Sequence, residues 1–102
     1  MADIKLELDA KKHGAFNLYN DGIKIGEMVV SIKDDTLTVY HTGVDEDQAG
    51  KGYAGQLLDA LVTHARNNNL KVIPLCPYVH AQFKRHPETY NDIWQKTTEN
   101  GQ

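Results

Sequence analysis

The stretch Gly50-Lys51-Gly52-Tyr53-Ala54-Gly55-Gln56-Leu57-Leu58 joins a glycine-rich loop to the start of a helix. Apolar residues recur beyond the loop at the spacing of one helix face. They are Ala54, Leu57, Leu58, Leu61, Val62 and Ala65. The helix is predicted to end near Asn67, because Asn67-Asn68-Asn69 supplies residues suited to a C-terminal cap.

Upstream of this loop the pattern predicts four strands in sequence. Residues 4–9 alternate apolar and charged side chains, and residues 15–19 run back after a turn. Asn20-Asp21-Gly22 is a strong signal for a tight hairpin, since these residues accept the positive φ that such turns require. Residues 23–32 and 36–42 are rich in β-branched and aromatic side chains. We expect these four strands to form an antiparallel meander.

Downstream of the helix the chain returns to a strand. Residues 70–76 form a short apolar run, and Pro77 suits the first position of a helix over residues 78–85. A last short helix containing Tyr90 and Trp94 is predicted after His86-Pro87-Glu88. A helix-length crossover joins the fourth and fifth strands, so the fifth is predicted to lie parallel to the fourth. The expected fold class is α+β: four meander strands plus this fifth strand, with the helices packed on the sheet.

The length and charge of the chain limit its partners. One domain over residues 1–102 is expected from 102 residues, and a formal net charge of −3 argues against nucleic-acid binding. The single cysteine, Cys76, cannot form an internal disulfide, and the first residues lack the apolar stretch of a signal peptide. The longest uncharged run, residues 72–83, falls short of the ~18 apolar residues of a membrane helix. The sequence therefore predicts a cytoplasmic protein that does not bind a membrane. The polar tail from Thr97 to Gln102 is expected to fray.

The glycine loop matches the pattern G-x-G-x-x-G and is suited to an anion. The free N–H groups of a helix start favour a phosphate or pyrophosphate, although the same glycines also serve simply to begin a helix. A P-loop is excluded, because its G-x-x-x-x-G-K-[ST] spacing is missing. A Rossmann site is weakly supported, because the loop follows an antiparallel meander and no acidic residue lies near position 70.

A combination of segments carries a family resemblance. A strand ending in His41-Thr42-Gly43-Val44, the loop Gly50-Lys51-Gly52-Tyr53-Ala54 and a strand ending in Cys76-Pro77 resemble the acyl-CoA-binding core of the GCN5-related N-acetyltransferases. Residues 72–79 and Lys84-Arg85-His86-Pro87-Glu88 are similar to the small single-domain, YjdJ-type branch of that superfamily. The resemblance covers residues 4 to 95. Ala49 stands where the superfamily usually has Gln or Arg, and Gln48 lies one residue earlier.

The resemblance implies acetyl-CoA or coenzyme A as a co-substrate and an unidentified amine as the acceptor. The implied cofactor-binding residues are His41, Thr42, Gly43 and Val44 in the fourth strand and Gly50, Lys51, Gly52, Tyr53, Ala54 and Gly55 in the loop. It also implies that the backbone of the fourth strand pairs with the pantetheine arm and that an N–H there polarises the thioester carbonyl.

Three side chains are candidates for catalysis: Cys76, His41 and Tyr78. Cys76 directly precedes a helix start, where a thiol becomes more acidic, although a lone cysteine also packs as a small apolar residue. Tyr78 could donate a proton to the departing thiolate or only pack, and His41 could act as a general base or only bond to its neighbours. No histidine has a partner at metal-ligand spacing, so no metal site is predicted.

Two classes of function follow from these residues. The first is an N-acetyltransferase that acts directly or through Cys76. The alternative is a non-catalytic module that binds or senses coenzyme A or acyl-CoA. An interaction domain without a cofactor is a third class, and it requires the loop and the Cys-Pro segment to coincide by chance. Either a monomer or a homodimer is compatible with the sequence.

Overall fold

A computed structural model describes residues 2–96 as one five-stranded sheet with helices packed against it. The strands are β1 (Ala2–Leu8), β2 (His13–Asn20), β3 (Ile23–Lys33), β4 (Thr36–Val44) and β5 (Lys71–Pro74). The helices are α1 (Tyr53–Asn67), α2 (Pro77–Arg85) and α3 (Pro87–Tyr90). A 3₁₀ turn over Glu46–Gln48, which the sequence did not predict, lies between β4 and the glycine loop. The predicted fraying concerns residues outside the described range.

The sheet confirms the predicted fold class. Its strand order is β1-β2-β3-β4-β5, and every neighbouring pair is antiparallel except β4 and β5. These two strands run parallel, because α1 carries the chain back to the starting end of the sheet. The hairpin between β2 and β3 forms at the predicted turn, where Asp21 and Gly22 have φ values of 51° and 78°.

The helices and one face of the sheet share a single hydrophobic core. Strand alternation places Phe16, Met28 and Val30 on this face, and the Phe16 ring meets His64 of α1 edge-on at 5.8 Å. The same core includes buried side chains from every larger helix, namely Leu57, Leu58, Leu61, Val62 and Ala65 of α1 and Val79 and Phe83 of α2. The opposite face of the sheet carries polar side chains such as Glu7, Asn17 and Glu27.

The end of the described chain departs from the prediction. Tyr90 lies in α3 as expected, but Trp94 lies beyond this helix and forms an isolated parallel bridge with Val72. The Val72 N–H donates to the Ile93 carbonyl at 2.6 Å, and the Gln95 N–H donates to the Val72 carbonyl at 2.8 Å. The segment is extended here because its backbone groups, and those of Val72 at the open edge of β5, then pair with each other.

The aromatic residues around Phe83 close the core beside this edge. The Phe83 ring stacks on Tyr90 at 4.8 Å and meets Trp94 at 5.8 Å. All three rings belong to or pack against the hydrophobic core, and only Phe83 and Tyr90 lie on helices. Within residues 2–96, no helix combines the length and the apolar character needed to cross a bilayer.

Burial predicts how two leucines differ in their contribution to stability. Leu61 in α1 is fully buried, whereas Leu75 after β5 is 60% exposed. We expect Leu61→Ala to lower the free energy of unfolding by about 2–5 kcal/mol, because it leaves a cavity in the core. Leu75→Ala, which removes the same atoms from the surface, should change it by no more than about 0.5 kcal/mol. Urea denaturation followed by circular dichroism measures both, and equal effects would contradict this description of the core.

Candidate functional site

Strands β4 and β5 part about halfway along β4. Their pairing runs from Thr36–Lys71 to Val39–Pro74 and ends there. One more backbone hydrogen bond follows this pairing: the Cys76 N–H, just after β5, donates to the Val39 carbonyl of β4 at 2.9 Å. Beyond this point β4 continues to Val44 with β3 as its only strand partner among the described residues. The parted strands leave one backbone edge of residues 41–44 without a strand partner among the described residues, and we call the gap beside it the opening.

A β-bulge in β4 lies at the point where the strands part. Val29 of β3 pairs with His41 and the next residue, Val30, pairs with Val39, so Tyr40 is an extra residue in β4. A bulge bends its strand and strengthens the local twist. Tyr40 remains 46% exposed, and its hydroxyl lies 2.7 Å from the Ser31 hydroxyl. The sequence did not predict this bulge, because residues 36–42 read as an unbroken strand.

The glycine loop forms the end of the opening nearest α1. Gly50 and Gly52 have φ values of 81° and 79°, which glycine adopts without the strain that a Cβ brings. Gly52 is the residue that caps α1, and its carbonyl accepts the Gln56 N–H at 3.2 Å. The N–H groups of Tyr53, Ala54 and Gly55 precede this first intrahelical bond, and they carry the positive end of the helix dipole.

A shallow cavity of about 220 Å³ lies over this loop. Its lining residues are Val44, Gln48, Ala49, Gly50, Gly52, Tyr53 and Ala54. The structure therefore brings Val44, the last residue of β4, together with the glycine loop. Lys51, also an expected cofactor-binding residue, is exposed outside the lining set, and its ammonium donates to Gln48 Oε1 at 3.2 Å. The exposed side chains of Asp45, Glu46 and Asp47 add negative charge nearby.

Cys76 lies on the side of the opening that faces the helices. It is 2% exposed, and it precedes α2, which begins at Pro77 as predicted. Its Sγ lies 3.2 Å from Thr42 Oγ1, so the two side chains meet across the gap between the parted strands. The sequence named Thr42 only for its backbone, and this contact between side chains could not be seen without the fold.

His41 lies on the other side of the opening. Successive side chains of a strand point to opposite faces, so His41 and Thr42 diverge, and the structure does not bring His41 and Cys76 together. The His41 ring lies over Gly43, where an added Cβ would come within 3.1 Å of Nε2. A second cavity of about 340 Å³ opens beside Gly43, and Lys24, Glu27 and Asp45 line it.

Tyr78 is half-buried in the first turn of α2. Burial raises the pKa of its phenol above the ordinary value of 10.0, and the nearby charges of Tyr90, Asp59 and Cys76 act in the same direction. The phenol therefore stays protonated at neutral pH and can act only as a proton donor there. Among the described residues, no group of three or more His, Cys, Asp or Glu side chains is placed to hold a metal ion.

The chain matches a known family over most of its length. The sequence profile described as GCN5-related N-acetyl-transferase matches residues 15–93. No curated protein sequence matches the chain. The matches to solved structures therefore supply the remaining comparisons.

A GCN5-like protein from Staphylococcus aureus, solved by NMR, is 25% identical with a TM-score of 0.64, and the match covers 97% of this chain and 93% of that one. The ribosomal-protein-S18-alanine N-acetyltransferase from Escherichia coli is 18% identical with a TM-score of 0.59 over 65% of this chain. A GNAT family acetyltransferase from Elizabethkingia anophelis, solved with acetyl-CoA bound, is 20% identical with a TM-score of 0.57 over 76% of this chain. The matches span 43% and 53% of these two enzymes, so the chain corresponds to about half of each.

The raised pKa of Tyr78 predicts a loss of stability in alkali. A pKa that is higher in the folded chain contributes stability that is present below pH 10.0 and lost as the pH rises through the folded value. The free energy of unfolding of the wild type should therefore fall more steeply above pH 10.0 than that of Tyr78→Phe. Urea denaturation across this range measures the difference. A Tyr78→Phe curve parallel to that of the wild type would contradict the burial of this phenol.

Proposed function

The chain belongs to the GCN5-related N-acetyltransferase family, and we propose that it binds acetyl-CoA in the opening between β4 and β5 and transfers the acetyl group to an amine. The observation that carries this proposal is the parting of two parallel strands directly beside a glycine-rich helix start. The unpaired backbone of residues 41–44 offers a strand edge to a pantetheine arm. The first N–H groups of α1 offer a site for the pyrophosphate.

Each predicted cofactor-binding residue has a part in this arrangement. His41, Thr42, Gly43 and Val44 present their backbone to pantetheine, and an N–H among them polarises the thioester carbonyl. Gly50 and Gly52 keep the loop free of side chains, and Tyr53, Ala54 and Gly55 direct N–H groups toward the phosphates. The Lys51 ammonium adds positive charge at the mouth of the same loop and offsets part of the acidic charge of residues 45–47.

We favour direct transfer, with His41 as the proton acceptor and Tyr78 as the proton donor, because Cys76 is buried. The nitrogen of a neutral amine attacks the thioester carbon, and the carbon–sulfur bond breaks to release CoA as a thiolate. His41 accepts the proton that the amine loses, and Tyr78 donates a proton to the thiolate. Exchange with water then returns both residues to their starting state. His41 and the α2 side of the opening lie on opposite faces of β4, so the amine and the departing sulfur would use different sides.

A covalent route through Cys76 is a second form of the same activity. The contact between Cys76 Sγ and Thr42 Oγ1 places the thiol beside the strand that would hold the thioester. In this route the Cys76 thiol gives its proton to water as its sulfur attacks the thioester carbon, and CoA leaves as a thiolate that takes a proton from Tyr78. The acceptor amine then attacks the acyl-cysteine carbon, and its proton goes to the departing Cys76 sulfur, which regenerates the thiol. The burial of Cys76 argues for direct transfer, because the attacking sulfur would have to be reached from inside the opening.

The alternative is a module that binds or senses acyl-CoA without turnover. Two observations favour it: Ala49 stands at the position where the resemblance predicts Gln or Arg, and the exposed acidic residues 45–47 lie beside the proposed pyrophosphate site. Both features would weaken the binding of an anion. A panel of amine acceptors separates the two functions, because a sensor shows saturable CoA binding with no acetylated product.

Substitution of the loop glycine tests the binding site. Gly52→Val should abolish acetyl-CoA binding in isothermal titration calorimetry, because a side chain at this position obstructs the helix N–H groups and opposes a φ of 79°. Gly22→Val is the matched control, since Gly22 has a φ of 78° in a distant hairpin with the same open space around it. Both variants should lose similar stability. Normal binding by Gly52→Val would show that the loop is only a helix start.

Intact mass separates the two transfer routes. Incubation with acetyl-CoA in the absence of an acceptor should add no stable mass under direct transfer, whereas acylation of Cys76 adds about 42 Da. Cys76→Ser should retain CoA binding under either route. It should keep most of the transfer activity under direct transfer and lose it under the covalent route. A mass increase that disappears in Cys76→Ser would replace direct transfer with the covalent route.

A further inference from the structure

The outer edge of β1 has no strand partner among residues 2–96, because the sheet begins with this strand. The Asp9 N–H donates to the His13 carbonyl at 2.9 Å, so Asp9 directs its N–H group toward β2. Hydrogen-bonded and non-bonded pairs alternate along an antiparallel ladder. Lys5 and Glu7 therefore direct their backbone groups toward β2. The residues that direct their backbone groups to the open edge are Ile4, Leu6 and Leu8.

The side chains of Ile4, Leu6 and Leu8, which we name the β1 shelf, lie on the face of the sheet that packs against α1. They are only half-buried, because α1 does not extend over the edge. A cavity of about 430 Å³ lies between the shelf and α1, and Ile4, Leu6, Phe16, Asp59, Ala60, Thr63, His64 and Asn67 line it. The shelf therefore offers apolar surface and unpaired backbone along the same seven-residue strand.

The other face of β1 carries charges of both signs. Asn17 Nδ2 and the Tyr19 hydroxyl both donate to Glu7 Oε1, at 2.8 and 2.6 Å, and Oε2 has no partner within the described residues. The Lys5 ammonium lies 5.5 Å from the centre of the Tyr19 ring and makes no ion pair in residues 2–96. One carboxylate oxygen and one ammonium are thus free on neighbouring positions of the same face.

We propose that β1 pairs with β1 of a second copy of this chain, antiparallel, about a two-fold axis that passes through Leu6. In this register Leu6 faces Leu6, Ile4 faces Leu8, and the residues that meet have their backbone groups directed at each other. Lys5 of each copy faces Glu7 of the other, so the free ammonium meets the free carboxylate oxygen twice. The two shelves join, and the two sheets become one continuous sheet.

Charge and the overlap of apolar side chains together select this register from its neighbours. An axis through Lys5 gives the longest overlap, but it places Lys5 against Lys5 and Asp3 against Glu7 within the strand, and like charges directly opposite each other are destabilising. The axis through Leu6 places Asp3 opposite Asp9, which lies beyond the end of β1 and whose Oδ1 accepts the N–H groups of Lys11 and His13. An axis through Ile4 places Lys5 against Asp3 and leaves Leu8 of each copy uncovered. A lysine on an edge strand ordinarily discourages pairing. Here Glu7, two positions along on the same face, gives that lysine a partner only in the register through Leu6.

Two opposite charge reversals test the pairing. Analytical ultracentrifugation of the wild type over a concentration series should show a reversible dimer. Lys5→Glu and Glu7→Lys should each be monomeric alone, because each places like charges opposite each other. An equimolar mixture of the two variants should form a one-to-one heterodimer, because the charges again complement each other. Lys33→Glu, an exposed control in β3, should dimerise like the wild type.

Three results would overturn the proposal: a wild type that stays monomeric throughout the series, a Lys5→Glu variant that dimerises like the wild type, or a variant mixture that stays monomeric while both partners are folded by circular dichroism. Glu7→Lys also removes the bonds from Asn17 and Tyr19, so a second measurement avoids this substitution. Leu6→Cys in a Cys76→Ala background should oxidise to a disulfide-linked dimer, because facing Cα atoms about 5.5 Å apart suit a disulfide. Failure to cross-link would exclude the axis through Leu6.

Discussion

The hydrogen bond from the Cys76 N–H to the Val39 carbonyl marks the point on which the site depends. Before it, β4 and β5 pair as ordinary parallel strands. Beyond it, β4 pairs only with β3 among the described strands, and the chain that formed β5 enters α2. Pro74 lies at the last pair and lacks an N–H, so the ladder cannot continue through it in the usual pattern. Pro77 then fixes the start of α2 and directs the chain away from β4.

The bulge at Tyr40 lies in β4 at the same level at which β5 stops pairing with that strand. One extra residue in β4 shifts the register with β3 and increases the twist at the same level of the sheet. The extra residue also sets which side chains of β4 point to which face beyond it. Thr42 meets Cys76 on the helix side, whereas His41 lies on the side without helices. A shift of one residue would exchange these two faces.

Within residues 2–96 the helices cover one face of the sheet, and apolar side chains and backbone groups at its two edges are incompletely covered. In the core, Leu61 of α1 and Phe83 of α2 are fully buried. The side chains of the β1 shelf, at the edge of the same core, are only half-buried. At the other edge, β5 has already found a partner in the segment around Trp94. Backbone groups at a sheet edge need hydrogen-bond partners. The segment around Trp94 supplies them at β5, and in our proposal a second copy of the chain supplies them at β1.

The sequence by itself determined the elements and their order. Alternation in residues 4–9, the turn at Asp21 and Gly22 and the helical spacing from Ala54 to Ala65 are local signals, and each produced the element it predicted. The parallel direction of β5 followed from the length of the crossover. The glycine loop also lies where its pattern indicated, at the first turn of α1. Only the tertiary structure decided the bulge at Tyr40, the contact between Thr42 and Cys76, and the extended course of Trp94. Each of these depends on a partner far away in the sequence, and periodicity carries no information about register between distant segments.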